Sequence, residues 1–459
     1  MAPTVGLIAE LGQATSPSRV LTSPEDLIVY GYDGTWLERT PDVVVSAAST
    51  NEIAAVLRVA RQHHVPVVPR GGGSGLAGGS VPSTGGIVLN TTLMGQIVVI
   101  DPRALIAVVQ PGVVNATLQS AVEKVGLFYP PDPASLNQST IGGNVATSAG
   151  GPRCLKYGGT KDYVTGLQVV LPSGDILSLG GRSHQPGPDQ HLLQTFVGSE
   201  GTLGVIAEVT VRLLPRPLAR GTVMATFDRL ENAGGAVMEI LSAGVVPLAL
   251  EMMDRVTLRC VEEYLHAGLP IESDALLLID VDGDAESVAR QVAVVADVCR
   301  TAGASIVRPA ETPAESAQLW RARRSTSSSF GRIRPNKLGE DVSIPRGAIP
   351  EMVRAVQEIA ARYDLLIPLF GHIGDGNLHP NILCDLRDRD EMARVAEAAR
   401  AIFAAAVRHG GTLSGEHGIG LLKRDFLPES LDPGAVALMR RIKQAVDPEG
   451  ILNPGKVLR

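Results

Sequence analysis

The stretch Gly371-His-Ile-Gly-Asp-Gly-Asn-Leu-His-Pro-Asn381 carries the densest set of groups able to do chemistry. Asp375-Gly376 at its centre predicts a two-residue hairpin turn, because these residues accept the positive φ that such turns demand. A hairpin centred there pairs Gly374 with Asn377, Ile373 with Leu378 and His372 with His379. Opposed side chains on one sheet face stand about 5 Å apart at Cβ, close enough for two imidazoles to share a metal ion. Asn381, two residues past His379, points the same way. Taken alone, the pair reads equally well as two unrelated loop histidines. A second segment, Gly410-Gly-Thr-Leu-Ser-Gly-Glu-His-Gly-Ile-Gly420, sets Glu416 and His417 side by side among glycines. Two histidines and a glutamate would form an open three-ligand site, with His417 left over as acid or base. The alternative for Glu416-His417 is an ordinary surface turn.

A different chemistry is suggested by Pro69-Arg-Gly-Gly-Gly-Ser-Gly-Leu-Ala-Gly-Gly-Ser80, which directly follows the apolar run 65–68. Glycine allows backbone N–H groups to converge on one point without Cβ interference, which suits a diphosphate. No Gly-Lys-Ser/Thr ends the stretch, so it is not a Walker loop, and Leu76 stands where the dinucleotide fingerprint needs glycine. By itself the stretch also fits a flexible loop without a ligand. Two further small-residue segments follow, Ser139-Thr-Ile-Gly-Gly-Asn-Val-Ala-Thr-Ser-Ala-Gly-Gly151 and Gly198-Ser-Glu-Gly-Thr-Leu-Gly-Val-Ile206.

These groups must be held by a sizeable scaffold. At 459 residues the chain is long enough for two or three domains. A net charge of −7, with no basic run longer than Arg321-Ala-Arg-Arg324, argues against nucleic acid as a partner. The four cysteines, Cys154, Cys260, Cys299 and Cys384, lie far apart and read as reduced buried thiols. No signal peptide or membrane span is apparent, so a cytoplasmic protein is expected, with peripheral membrane attachment left open.

Ser49-x-x-Glu52 followed by Ile53, Val56, Leu57 and Ala60 predicts a capped amphipathic helix. Val43–Val45, Ile87–Leu89, Ile97–Ile100 and Leu105–Gln110 read as strands, and 167–179 as a hairpin around Pro-Ser-Gly-Asp. Few helices among many strands indicate an α+β domain ending at Pro215-Arg-Pro217. Beyond it, strands and helices alternate, predicting a sheet covered on one face by helices. The expected division is an N-terminal extension 1–36, a first domain 37–217, a second domain 218–430, and a terminal segment 431–459 that returns to the first.

The three glycine-rich segments, in this order, resemble the FAD domain of the vanillyl-alcohol oxidase and p-cresol methylhydroxylase (PCMH) family. That resemblance implies FAD contacts from Pro69, Arg70, Gly71, Gly72, Gly73, Ser74, Gly75, Gly79 and Ser80 around the diphosphate. It extends them to Pro131, Asp132, Ser139, Thr140, Gly142, Gly143, Asn144, Ala146, Thr147, Gly150, Gly151, Tyr157 and Gly158. Glu200, Gly204, Ile206 and Asn453 complete the set. Relatives that bind flavin covalently often carry histidine near the place of Ser74, so the FAD is expected to be non-covalent and dissociable.

His-x-Gly-Asp-Gly-Asn-x-His followed by Ser-Gly-Glu-His-Gly narrows the likeness. Together they resemble the FAD-linked 2-hydroxyacid dehydrogenases: the glycolate oxidase flavin subunit, D-lactate dehydrogenase and D-2-hydroxyglutarate dehydrogenase. The resemblance implies a divalent metal, usually zinc, on His372, His379 and Glu416, with His417 as catalytic base and hydride passing to flavin N5. It implies that Arg323, in Trp320-x-x-Arg323, holds the substrate carboxylate, and that Asn381, Ser327 and Lys337 also face substrate. In the hydroxyglutarate enzymes a substrate lysine falls near the place of Gly339, and Lys337 is offset from it. A small D-2-hydroxy acid such as D-lactate or glycolate is therefore the expected substrate, with D-2-hydroxyglutarate as the alternative. Electrons would pass to a separate acceptor: a quinone, a cytochrome, an iron–sulfur subunit or an electron-transfer flavoprotein. A homodimer stays open. A reading of another class is a non-catalytic flavoprotein subunit that only relays electrons.

Overall fold

Ser49 caps its helix as the pattern predicts, its Oγ accepting the Glu52 N–H at 3.2 Å. Glu52 reaches back one residue further than a capping box requires, to the Ala48 N–H at 2.7 Å, and also receives both ends of the Arg19 guanidinium at 2.7 Å. The helix Thr50–Gln62 then buries Ile53, Val56, Leu57 and Ala60. The computed structural model describes residues 4–184 and 187–459, so the first three residues of the expected N-terminal extension lie outside the described residues. The described chain divides into two units, one of 1–150, 159–216 and 416–459, the other of 151–158 and 217–415. The division thus falls at 415/416 where the sequence reading put 430/431, and 151–158 joins the second unit.

In the first unit, Val43–Ser46, Ile87–Asn90 and Val67–Arg70 form the parallel part of a four-stranded sheet, with Val20–Leu21 antiparallel at its edge. Burial on both faces explains why these strands read as unbroken apolar runs. A five-stranded antiparallel sheet runs Ile97–Asp101, Ile106–Val109, Val205–Arg212, Val164–Val170, Ile176–Gly180. Its last two strands are the predicted hairpin, turned by Gly174 at φ +83°. The return segment is held by backbone pairing: Val67 N–H donates to Ile451, and Asn453 N–H donates to Val67, both at 2.8 Å. Buried Glu200 accepts the Ile419 and Gly420 N–H groups at 2.7 and 2.8 Å.

The second unit is built on an eight-stranded sheet. The order is Ile306–Pro309, Ala219–Phe227, Ala275–Gly283, Ala249–Asp254, Leu369–His372, Asn377–Cys384, Asn336–Gly339, with Val342–Ser343 also on Asn377–Cys384. Helices cover both faces, not one as the alternation had implied. Gly221 and Met224, three residues apart on one strand, point oppositely. A Cβ on Gly221 would meet Val292 at 2.5 Å, on helix Ala285–Thr301. Met224 instead shares a buried cluster with Leu258, Leu319 and Trp320, from helices Arg255–Leu265 and Pro313–Arg324. Ala275–Gly283 is buried along almost its whole length, which only two covered faces allow.

Asp254 ends its strand and caps helix Arg255–Leu265 by accepting the Thr257 N–H at 2.8 Å. Burial pushes its carboxyl up to about 6, against hydrogen bonds from Thr257 that favour the ionised form. The unfolded chain therefore gives up this proton first, and the folded state loses stability from this group as pH rises from about 4 to about 6. A shift of this size corresponds to up to about 3 kcal/mol. Asp254→Asn keeps an acceptor at the cap and removes the titration. Its melting temperature should fall less than that of wild type across that window, and parallel melting curves would refute the assignment.

Candidate active site

In the first unit, strand Val67–Arg70 runs straight into the glycine stretch. Arg70 is buried and folds back beneath it, donating from Nη1 to the Tyr32 carbonyl at 2.5 Å, while Gly73 sits over the guanidinium at φ +65°. Gly71 and Gly72 lie against residues 138–140 so closely that a Cβ on either would come within 2.2 Å of Thr140 Oγ1 or 2.3 Å of the Gln138 carbonyl. The first glycine stretch and residues 138–140 thus meet at a distance that only glycine at 71 and 72 allows. Pro69 packs by Gly201, Gly75 accepts the Gly34 N–H at 2.8 Å, and Ser80 lies 3.4 Å from Arg70 Nη1. Ser74 is half-buried in the same stretch.

Ser139 Oγ, Thr140 Oγ1, Asn144 Nδ2 and Asn115 Oδ1 are buried without hydrogen-bond partners in the chain. Four orphaned polar atoms beside a glycine cradle are what a polar cofactor would satisfy. Gly142 packs on Pro111, a Cβ on Gly143 would stand 3.4 Å from Thr140 Oγ1, and Thr147 Oγ1 donates back to the Gly143 carbonyl. Pro131 accepts from Asn115 and Gln119, and Asp132 is half-buried nearby in sequence. The Ala146 carbonyl accepts the Glu200 N–H at 2.7 Å, joining the second segment to the third. Asn453 joins the first to the third, donating to the Gly79 and Glu200 carbonyls at 3.0 and 2.8 Å. Gly204 and Ile206 are packed into the sheet around Val169. Gly150 belongs to this unit, whereas Gly151, Tyr157 and Gly158 belong to the other, where the Tyr157 hydroxyl donates to Asp282 at 2.8 Å.

In the second unit the hairpin forms, but in another register. Phe370 pairs with His379 and His372 with Asn377, so the turn takes four residues, 373–376. Its backbone is engaged elsewhere: Ile344 N–H donates to Gly376 at 3.0 Å, and Arg346 Nε donates to Gly374 at 2.6 Å. A two-residue shift preserves the sheet face, so His372 and His379 become diagonal neighbours with ring centres 5.1 Å apart. A ring nitrogen of each lies within 4.8 Å of the other's. Both are buried, as is Asn381, which donates to the His379 carbonyl at 2.9 Å.

Two carboxylates not singled out in the sequence govern these imidazoles. Glu251 accepts His372 Nδ1–H at 2.6 Å through Oε1, and its Oε2 lies 2.5 Å from Arg323 Nη2. Burial pushes the Glu251 carboxyl up, but His372 and Arg323 outweigh burial and hold it down at about 2. Asp341, fully buried, accepts Ser414 Oγ at 2.6 Å and the Gly415 N–H at 3.0 Å, and lies 3.8 Å from His379 Nδ1. It thereby fixes the chain up to the residue before Glu416; Glu416 and His417 themselves open the first unit's return segment. A signal for Glu251 was present: a lone charge inside Ala249-Leu-Glu-Met-Met must find buried partners.

Arg323 lies in the last turn of helix Pro313–Arg324, whose start Thr312 caps. It is buried, its guanidinium carbon 4.6 Å from the Phe370 ring centre, and its Nε has no hydrogen-bond partner. Phe370 also stands 5.3 Å from the His379 ring and 6.1 Å from Phe330. Lys337 lies over Phe330 at 5.7 Å and donates to Ser327 Oγ. Burial lowers its ammonium to about 8. Although offset from Gly339 in sequence, Lys337 shares its strand face, because two residues make one full period, and Gly339 pairs with Asn381. Arg323, Lys337, Ser327, Asn381 and both histidines therefore belong to one neighbourhood.

The model of an FAD binding domain matches residues 41–180, and that of the FAD linked oxidases, C-terminal domain, matches 216–457. The chain is 43% identical to "Glycolate oxidase subunit GlcD" of Bacillus subtilis over 98% of its length and 96% of that protein's. It is 34% identical to "D-2-hydroxyglutarate dehydrogenase" of Stutzerimonas stutzeri, covering 98% of each chain. The solved structure of p-cresol methylhydroxylase superposes with a TM-score of 0.82 at 18% identity, over 99% of this chain and 97% of that one, a likeness of fold alone. An FAD-binding domain of PCMH type, joined to the C-terminal domain of this family, places the chain among the FAD-linked oxidases, a family of flavin-dependent oxidoreductases.

Proposed function

We propose that this chain oxidises a short 2-hydroxy acid to the 2-keto acid with non-covalently held FAD and a divalent metal, and hands the electrons to a separate protein or quinone acceptor. The observation that carries the reading is Arg323: buried, anchored on one side by Glu251, and left with an unpaired Nε–H beside the two-histidine face. A guanidinium edge offering parallel N–H donors fits a carboxylate, and an unpaired buried donor is costly unless a ligand supplies the acceptor. The name of the Bacillus relative, a glycolate oxidase subunit, supports a small substrate and a multi-subunit setting.

FAD, when bound, supplies the acceptor for the electron pair that leaves with the α-hydrogen. The orphaned hydroxyls and amides of residues 115, 139, 140 and 144 would hold it, with the glycines of 71–79 against its diphosphate. A divalent metal, when bound, supplies a Lewis acid that lowers the pKa of the substrate hydroxyl. His372, His379 and Glu416 would hold it, and imidazole with carboxylate donors suits zinc. Arg323 fixes the carboxylate and so orients the α-carbon. Asn381, on the histidine face, contacts the acid. His417 accepts the hydroxyl proton on a ring nitrogen, the general-base role for which imidazole is most often used.

Lys337 favours a second reading. Its ammonium shares the Asn381 face and the Ser327 hydroxyl, so a dicarboxylic acid such as D-2-hydroxyglutarate could place its distal carboxylate there. Anaerobic titration of the flavin colour separates the two. Glycolate or D-lactate should bleach it at lower concentration than D-2-hydroxyglutarate; the reverse order, abolished by Lys337→Ala, would establish the dicarboxylate. If no 2-hydroxy acid bleaches the flavin while a reduced partner protein does, the chain is an electron relay.

His417→Ala should retain flavin and metal while kcat drops by about 10²–10⁴, and undiminished turnover would remove it from the mechanism. His372→Ala should lose metal and activity together while the yellow colour persists; full metal content by elemental analysis would overturn the ligand assignment.

A further inference from the structure

We propose that Glu251 is a positioning residue that couples the two halves of the substrate site, setting the carboxylate-binding arginine and a metal-binding histidine from one carboxylate. The inference rests on the functional reading above, in which Arg323 takes the substrate carboxylate and His372 a metal. It concerns neither a ligand of the metal nor a group that touches the acid.

The placement of Glu251 is dictated by backbone pairing. Strand Ala249–Asp254 lies antiparallel to Leu369–His372 with Met252 opposite Gly371 and Met253 opposite Phe370. One residue further along, that register sets Glu251 opposite His372, where Cβ atoms stand about 5 Å apart. Oε1 meets His372 Nδ1 at 2.6 Å. Against a carboxylate acceptor that nitrogen carries the proton, so the lone pair is on Nε2, the nitrogen able to ligate a metal. Oε2 meets Arg323 Nη2 at 2.5 Å, and Arg323 arrives from the helix Pro313–Arg324. A planar guanidinium anchored at Nη2 and lying against the Phe370 ring has little freedom left, and its unpaired Nε–H keeps one direction.

One buried anion thus determines which nitrogen of His372 is basic and which edge of Arg323 is presented. A carboxylate serving only to neutralise Arg323 would not need the second contact, and one serving only to orient His372 would not need the first. Glu251 is 1% exposed, so neither contact is shared with bulk water. The charge of Glu251 also opposes the incoming acid: Arg323 is shared between two carboxylates, which limits how tightly substrate is held and favours orientation over affinity.

Glu251→Gln keeps the shape and removes the charge. In protein that retains bound FAD and a wild-type circular dichroism spectrum, metal affinity measured by chelator competition should fall about 10–100-fold. At saturating metal, kcat for the preferred 2-hydroxy acid should fall while KM also falls, because Arg323 keeps its charge, loses its anchor and no longer faces a competing anion. Glu251→Asp, which retains the charge on a shorter arm, should keep KM near wild type with a smaller loss of metal affinity. Wild-type metal affinity in folded Glu251→Gln overturns the coupling, as does an unchanged kcat and KM. If the Gln variant does not fold, the Asp variant decides: wild-type values for both metal affinity and kcat overturn it. Loss of the functional reading looks different, since His372→Ala would then retain its metal whatever Glu251 does.

Discussion

A charge buried in a sheet must be answered, and the second unit is arranged around that requirement. Glu251 stands mid-strand among Ala, Leu and Met, with Asp254 only at the strand's end, and it survives there because His372 and Arg323 both reach it. Removing either partner would leave an anion poorly compensated in an apolar layer, a far larger penalty than the loss of one surface ion pair. The register between Ala249–Asp254 and Leu369–His372, the end of helix Pro313–Arg324 and the ring of Phe370 are therefore mutually constrained. Asp341 repeats the device, gathering Ser414, Gly415 and the vicinity of His379 around one carboxylate.

Much of the first unit was legible in the sequence, because its decisive features are local. Ser49 and Glu52 announce a helix start without reference to anything distant, and Pro-Ser-Gly-Asp announces a hairpin. The glycines of 71–73 were legible as a cradle but not for the reason that makes them obligatory. That reason is the approach of residues 138–140, some seventy positions away, for Gly71 and Gly72, and the Arg70 guanidinium together with a positive φ for Gly73. The helices on both faces of the second sheet were missed because alternation of elements along the chain says nothing about which side each helix takes.

The histidine hairpin shows how turn chemistry can be right and register wrong. Asp375-Gly376 does lie in the turn, with Gly376 at φ +84°. Hydrogen bonds to its carbonyls from the Ile344 N–H and the Arg346 Nε claim the turn, however, and the turn is two residues longer. Because strand faces repeat every two residues, the error cancelled and the imidazoles still share a face. A shift of one would have separated them. The same period rescues Lys337, whose distance from Gly339 in sequence looked like a departure and is one repeat of the strand. Glu251 and Asp341 stayed out of view since a buried acid declares a need for partners without saying which.

The strand pairing between Val67 and residues 451–453 has a bearing on biosynthesis. During translation, the parallel sheet that carries the glycine loop lacks its last backbone partner until nearly four hundred further residues have left the ribosome. The stretch 217–415, by contrast, contains nearly all of its own sheet and helices in one uninterrupted run. Vectorial synthesis therefore favours the later-encoded unit maturing ahead of the earlier one, which stays incomplete until its closing strand arrives.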